Sequence, residues 1–167
     1  MEFNASSANL LKIKVDSLIL PTGSQLKNNA KVIDETLDGT ISSLIKAGDF
    51  TGKSSEICVL HTLGQSHKRI ILLGTDGAST PQKMIKVIEA GARAAQKTTS
   101  AKVLWVGESL GDDHEWQASI VARSTLTAGY KYAGTGKKPK PNKLKSATYW
   151  TDSKKLSNAA NAGLQYG

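Results

Sequence analysis

Histidine and cysteine, which often serve as metal ligands, bases and nucleophiles, are scarce in this sequence. The three histidines, His61, His67 and His114, lie in predicted turns, and none has the i, i+4 spacing of a helical metal pair. The single cysteine, Cys58, lies in the apolar run ICVL, which predicts a small buried residue of a strand rather than a reactive thiol. We therefore expect surface histidines, no catalytic residue and no metal site in this chain.

Paired carboxylates and glycine turns also fall short of a recognisable site. The pairs at 34–35 and 112–113 lie near predicted helix starts, where negative charge complements the helix dipole. The segment GTDG at 74–77 follows a strand and precedes a helix, but it lacks the glycine spacing of phosphate loops, and Asp76 would repel phosphate. A structural turn is the favoured interpretation. The segment PTGS at 21–24 is a second, poor candidate for a nucleotide loop.

The clearest chemical signal is positive charge near the end of the chain. The formal net charge is +8, and a basic cluster interrupted by two prolines follows Gly136. Lysine clusters can contact nucleic-acid phosphates, but they are also common in solvated loops. No arginine is interleaved here, so both interpretations stay open. The possible nucleic-acid contacts are Lys137, Lys138, Lys140, Lys143 and Lys145.

The elements that must position these residues alternate between strand and helix, which predicts an α/β fold. We expect the second strand to end at Pro21, two short helices with a break near Gly39, and a long helix capped by Ser79 or Thr80. A capping box is expected from Asp112. Strands are predicted at 2–5, 14–20, 56–60, 69–73, 102–106 and 147–150, with the third and fourth antiparallel.

Length and composition predict a single soluble domain. A chain of 167 residues can bury a substantial core. It shows no signal-peptide pattern, and its apolar runs are far shorter than the ~20 residues needed to cross a bilayer. We expect a cytoplasmic protein. We also expect a domain at 1–152, followed at 153–167 by a helix whose apolar pattern still runs at Gly167, as it would in a chain cut before a further domain.

Seven segments, in this order and spacing, resemble the N-terminal domain of the leucyl aminopeptidase (cytosol aminopeptidase) family. None is a catalytic signature, and the resemblance depends on their order and coverage. The most specific segment is GDFTGK at 48–53. The others are VDSLIL at 15–20, IDETLDGTISSL at 33–44, RIILLG at 69–74, AGARAA at 90–95, AGYKY at 128–132 and AANAGL at 159–164.

The resemblance implies a macro-domain-like fold, with a three-layer mixed sheet flanked by helices. It also implies an absent C-terminal catalytic domain that holds two divalent metals, zinc or manganese, and hydrolyses N-terminal residues, preferably leucine, from peptides. The full-length enzyme would be a homohexamer. The family's catalytic motif NTDAEGRL is absent from this chain, so no catalytic residue is carried over and no cofactor is expected in it. We predict that the isolated chain is inactive.

Two binding functions remain as alternatives. The first is a module that holds ADP-ribose or another nucleotide, since the macro-domain fold is implied. The segment NAANAG at 158–163 resembles a macro-domain motif, but it lies in a predicted C-terminal helix, so we interpret it as coincidence. The second alternative is DNA binding through the basic cluster.

Overall fold

One mixed sheet organises the chain. The computed structural model describes residues 2–62, 66–98, 100–107, 110–134 and 144–166. Six strands lie in the order β1-β6-β5-β2-β4-β3, and only β3 runs antiparallel to its neighbour. The strands are β1 (Glu2–Ser6), β2 (Val15–Thr22), β3 (Ile57–His61), β4 (His67–Gly74), β5 (Lys102–Val106) and β6 (Ser146–Trp150).

Helices cover both faces of the sheet, so the predicted three-layer α/β fold is confirmed. No helix among the described residues is long and apolar enough to cross a bilayer. The helices are α1 (Asn29–Thr36), α2 (Thr40–Ala47), α3 (Pro81–Lys97), α4 (His114–Gly134) and α5 (Lys154–Tyr166), with a short 3₁₀ turn at Leu10–Lys12.

Alternation of side chains along the strands divides the core into two halves. In β2, Ile19 faces α3, α4 and α5, while Leu18 and Leu20 face α1 and α2. All three side chains are fully buried. Helix α5 contributes Ala160 and Leu164 to the first half, so it packs into this core. Where the domain ends along the chain stays a prediction.

Pro21 does not end β2, contrary to the prediction. The strand continues to Thr22, and Pro21 is in register with Leu73 of β4. Pairing with β5 ends at Ile19, and Thr22 directs its carbonyl toward β4, where Thr75 N–H donates to it at 3.2 Å. Pro21 therefore faces the side that has no strand partner, where its missing N–H costs no ladder bond.

The break between α1 and α2 is confirmed at Gly39, whose φ of 76° suits glycine. The role of Asp34 differs from the prediction. Asp34 lies in the last turn of α1, not at a helix start, but its Oδ1 accepts hydrogen bonds from the N–H groups of Ile41 (2.8 Å) and Ser42 (3.2 Å). This buried carboxylate therefore caps the first turn of α2, although it belongs to the preceding helix.

The structure also identifies the residues that cap the N-termini of α3 and α4. Thr80, rather than Ser79, caps α3, since its Oγ1 accepts from Lys83 N–H at 3.3 Å and Pro81 opens the helix. At α4 the cap is Asp113, not Asp112, because Asp113 Oδ1 accepts from Trp116 N–H at 3.2 Å. The aspartate pair thus serves capping, one position later than expected.

Candidate functional site

A crevice lies where the order of strands across the sheet reverses. After β2 the chain continues to β3 and β4 on one side, and α3 then crosses to β5 on the other. Open α/β sheets commonly bind ligands at such a point, beside the carboxyl ends of the strands. A crevice of about 310 Å³ opens here between the segment 21–30 and the turn at 75–76.

Three backbone segments pack closely against one another beside this crevice. Gly52 has a φ of 81°, and a Cβ there would lie 2.4 Å from the Ser24 nitrogen. A Cβ on Gly74 would lie 1.8 Å from the Lys53 carbonyl oxygen. Real Cβ atoms do not approach backbone so closely, so these positions need glycine. The loops after β2 and β4 are therefore packed directly onto the segment 52–53.

The Asp76 carboxylate already accepts a hydrogen bond from the backbone N–H group that a bound anion would use. Ser24 N–H donates to Asp76 Oδ2 at 2.8 Å, and a Cβ on Gly23 would lie 2.0 Å from Oδ1. A bound phosphate would compete with this carboxylate and be repelled by it. The contacts therefore agree with the predicted structural turn at 74–77. They disfavour a pyrophosphate at the turn after β2.

Sequence reasoning missed Asn28, at the opposite wall of the crevice. Asn28 has φ 50° and ψ −118°, immediately before α1, and its side chain makes no cap hydrogen bond. Such backbone geometry is uncommon outside glycine, although asparagine tolerates positive φ better than most residues. Nothing in the local sequence signals this conformation, because the tertiary path from β2 into α1 imposes it.

The histidines are not all on the surface, so that expectation was wrong. His114 is 4 % exposed, and its Nδ1 lies 2.8 Å from the hydroxyl oxygen of Tyr149. Gln117 Nε2 donates to the same hydroxyl at 2.6 Å. Gly107 makes room for this ring, since a Cβ there would lie 2.3 Å from Tyr149 Cζ. This buried network ties α4 to β5 and β6.

His67 is also buried, at the start of β4. Its Nδ1 lies 2.8 Å from Thr62 Oγ1, and this hydroxyl also donates to the His67 carbonyl at 3.0 Å. Burial lowers the pKa of His67 below its ordinary value of 6.5, because the charged imidazolium loses solvation. His61 alone is exposed, at the end of β3. The structure does not bring these histidines together.

Cys58 is half-buried in β3, at the margin of the core half formed with α1 and α2. Burial raises the pKa of its thiol, and the nearby carboxylates of Glu56 and Asp49 add to the effect. A thiol with a raised pKa is a weak nucleophile at neutral pH. The interpretation of Cys58 as a small apolar residue of a strand therefore fits its surroundings.

No group of three or more histidine, cysteine, aspartate or glutamate side chains that could hold a metal occurs in the described ranges. The donor set there does not fit a two-metal site. Of the predicted nucleic-acid contacts, Lys137, Lys138, Lys140 and Lys143 lie outside the described residues. Lys145 is exposed, and its backbone N–H donates to the Ala101 carbonyl at 2.7 Å, just before β6.

Comparison with known proteins settles the family. A family model described as "Cytosol aminopeptidase family, N-terminal domain" matches residues 18–139. The chain belongs to the cytosol aminopeptidase family, as one of its N-terminal domains. A curated relative, leucine aminopeptidase 3, chloroplastic, of Arabidopsis thaliana, is 32 % identical over 127 residues, which cover 71 % of this chain and 21 % of the relative. The chain thus spans about a fifth of that relative's length.

Solved structures show that this aminopeptidase-family domain shares its fold with macrodomains. A mutant of tomato leucine aminopeptidase superposes with a TM-score of 0.74 at 18 % identity, covering 96 % of this chain and 34 % of that one. The Trypanosoma brucei macrodomain in complex with ADP-ribose gives a TM-score of 0.72 at 10 % identity, covering 96 % and 68 %. At these identities the likeness concerns the fold alone. The predicted macro-domain-like architecture is confirmed.

Proposed function

We propose that this chain is the noncatalytic N-terminal domain of a metal-dependent leucyl aminopeptidase, a hydrolase that removes N-terminal residues, preferably leucine, from peptides. The observation that carries the proposal is the match of residues 18–139 to the N-terminal domain of that family, over most of the sheet. The segment most specific to the resemblance, at 48–53, contains Gly52, which packs against the turn after β2 at backbone contact.

The reactive groups of the parent enzyme belong to a C-terminal catalytic domain. Two divalent metals, zinc or manganese, would supply a metal-activated water there. In the chain itself the motif NTDAEGRL is missing from the sequence, and the donor set of the described residues does not fit two metals. We assign no step of the reaction to any residue of this chain.

An assay with a chromogenic leucine substrate and manganese tests the assignment. The isolated chain should give no turnover above buffer, while a family member that carries both domains, assayed alongside, should be active. Turnover by the purified chain that follows its concentration would contradict a noncatalytic role.

The partners of the domain follow from the same proposal. They are the catalytic domain, further copies in a homohexamer and, for the parent enzyme, peptide substrates in the cytoplasm. Helix α5 supports the connection, because it packs into the core through Ala160 and Leu164. A Cβ on Gly163 would lie 1.9 Å from the Glu115 carbonyl oxygen, so α5 crosses α4 at backbone contact. A helix held this firmly would give a following domain a rigid attachment.

A nucleotide-binding function has support from the fold but not from the contacts. A macrodomain that shares the fold was solved with ADP-ribose. In this chain Asp76 already accepts the Ser24 N–H at the carboxyl end of the strands, where open α/β sheets commonly bind ligands. Titration calorimetry with ADP-ribose should therefore show no saturable heat. Saturable binding would support the nucleotide alternative.

DNA binding stays a prediction based on the basic cluster at 137–145. A gel shift whose affinity falls steeply with salt would support it. If the chain does not shift DNA at low salt, the DNA-binding prediction is wrong.

A further inference from the structure

The outer edge of β3 offers backbone groups that no other strand among the described residues uses. Gly74 N–H donates to the Glu56 carbonyl at 2.8 Å, and Thr62 N–H donates to the Lys68 carbonyl at 3.0 Å. Between these two bonds, antiparallel geometry directs the even-numbered residues of β3 toward β4. Ile57, Val59 and His61 therefore direct their N–H and C=O groups away from the sheet.

Strand β3 itself lacks proline, lysine and a bulge, three common protections of an outer strand. Proteins commonly block an outer strand with proline, lysine or a bulge, because an open edge pairs readily with another chain. The five residues of β3, ICVLH, include no proline and no lysine, and β3 pairs with β4 without interruption from Ile57 to His61. Val59, at its centre, is a large apolar side chain that is 40 % exposed.

A groove with an apolar floor and a cationic rim runs between this edge and α3. It encloses about 380 Å³. The floor contains Ile57 and Val59 of β3 together with Ala94 of α3. Arg93 and Lys97 line the same groove and are exposed.

The charge of α3 is positive along its exposed side. Its exposed charged residues are all cations, and the only acid of the helix, Glu89, is half-buried. The exposed cations are Lys83, Lys86, Arg93 and Lys97.

The side of β3 that faces away from α3 is apolar and has carboxylates nearby. Cys58 and Leu60 are half-buried there against the second core half. The carboxylates of Glu56 and Asp49 lie close enough to act on the Cys58 thiol. A strand added outside β3 would thus meet cations on the α3 side, and apolar surface with nearby acids on the other side.

We propose that β3 binds an extended acidic segment of another polypeptide, which adds to the sheet as a further strand. Its backbone pairs with the outward N–H and C=O groups of Ile57, Val59 and His61. Glutamates on the α3 side lay their methylene groups over the apolar floor and bring their carboxylates to Arg93 and Lys97. β-Branched apolar residues alternate with them and face Cys58 and Leu60 on the other side.

A second copy of this chain is a poorer occupant of the edge. Pairing of β3 with β3 about a two-fold axis would bring Arg93 and Lys97 of both copies to the same interface. The net charge of +8 adds to that repulsion. Charge complementarity therefore favours an acidic partner.

Fluorescence anisotropy with a short labelled peptide of alternating glutamate and valine tests the proposal, using the 167-residue chain. We expect saturable binding that weakens as salt screens the charges. A peptide of alternating lysine and valine should not bind. A glutamate–valine peptide N-methylated on alternate residues should lose affinity, because it cannot complete the backbone ladder.

Variants at the centre of the edge separate backbone pairing from charge. Val59→Pro removes an outward N–H without removing a bond to β4, so it should fold and bind the peptide about tenfold more weakly. Val59→Thr keeps the N–H and the branched side chain and should bind nearly as well as the unchanged chain. Circular dichroism and thermal unfolding confirm that both variants are folded.

Charge reversal tests the rim. The double variant Arg93→Glu with Lys97→Glu should abolish binding, while Lys154→Glu with Lys155→Glu, the same change of charge on α5, should have only a small effect. The proposal is overturned if the glutamate–valine peptide does not bind, or if the N-methylated peptide and Val59→Pro leave affinity unchanged. Sedimentation showing a dimer that Val59→Pro abolishes would assign the edge to a second copy instead.

Discussion

The two ends of the parallel strands use aspartate in the same way, although only one of them is a usual place for ligands. At the amino end, Asp16 Oδ2 accepts from the N–H groups of Ala101 (2.8 Å) and Lys102 (2.9 Å), which joins β2 to β5. Lys68 Nζ lies 3.3 Å from Asp16 Oδ1. Beside it, Arg69 donates to Ser17 and Ser100. This end is closed by side-chain hydrogen bonds.

At the carboxyl end, Asp76 accepts from Ser24 N–H, and glycines bring the loops into backbone contact. The position favours a ligand crevice, but the chain's own carboxylate occupies the donor that a ligand would need. The comparison shows that a reversal of strand order determines where a crevice can form. The side chains in the turns determine whether the crevice is available.

The largest expected effect comes from the close packing at the carboxyl end. Gly74→Ala should lower the free energy of unfolding by about 3 kcal/mol, because the new Cβ would meet backbone that cannot move aside. Gly77→Ala is the matched control, since Gly77 has a φ of 86° but open space around it. That variant should cost only about 1 kcal/mol, from backbone conformation alone. Urea unfolding measures both, and equal losses would show that the contact at Gly74 can relax.

At the amino end, Asp16→Asn should lower the free energy of unfolding by about 1–2 kcal/mol at neutral pH. Burial alone would raise the pKa of Asp16, but the N–H groups of Lys102 and Ala101, together with Lys68, outweigh it and hold the pKa below 3.8. The charged carboxylate thus stabilises the fold above pH 3.8, and this contribution is lost as the pH falls through the folded pKa. The two proteins should converge in stability in acid. A difference in the free energy of unfolding that stays constant with pH would show that the charge of Asp16 is not its cause.

At the carboxyl end, Asp76→Asn should cost less, under about 1 kcal/mol, because the exposed carboxylate accepts one backbone N–H and asparagine can replace it. Urea unfolding of Asp76→Asn beside Asp16→Asn gives the comparison directly. A larger loss for Asp76→Asn would mean that the carboxyl end depends more on its charge than the amino end does.

The smallest effect concerns His67, near the amino end. Because burial lowers its pKa, the unfolded chain takes up the proton first as the pH falls below 6.5. The free energy of unfolding should therefore decrease as the pH falls below 6.5, and His67 should contribute no slope above that pH. His67→Gln should flatten this slope in thermal unfolding between pH 5 and 7. If stability depends on pH to the same extent in His67→Gln, a group other than His67 causes that dependence.

Sequence patterns predicted the elements well where local chemistry decides them. The strand at 102–106 is confirmed at both ends, and Thr80 with Pro81 opens α3 as expected. Gly39 breaks the helical region as predicted. Each of these depends on residues within a few positions of one another, so the local sequence contains the information.

Predictions that depended on distant neighbours were less successful. Pro21 was expected to end β2, but the strand continues through it. Proline is tolerated there because β2 has no hydrogen-bonded neighbour on the β5 side beyond Ile19. His67 and His114 were expected on the surface, but both are buried with hydrogen-bond partners. The turn at Asp76 was recognised as structural from its charge, but its partner, Ser24, could not be found from the sequence, since 52 positions separate them.

The amino-acid sequence by itself determined the α/β class, the family resemblance and the lack of that family's catalytic motif, because periodicity, turn residues and segment order are local or collinear properties. Only the tertiary structure decided that Asp76 accepts the Ser24 N–H in the crevice, that α5 joins the core and that no other described strand pairs with the outer edge of β3. Those features depend on which segments the sheet brings together, and strand order is set by packing over the whole chain.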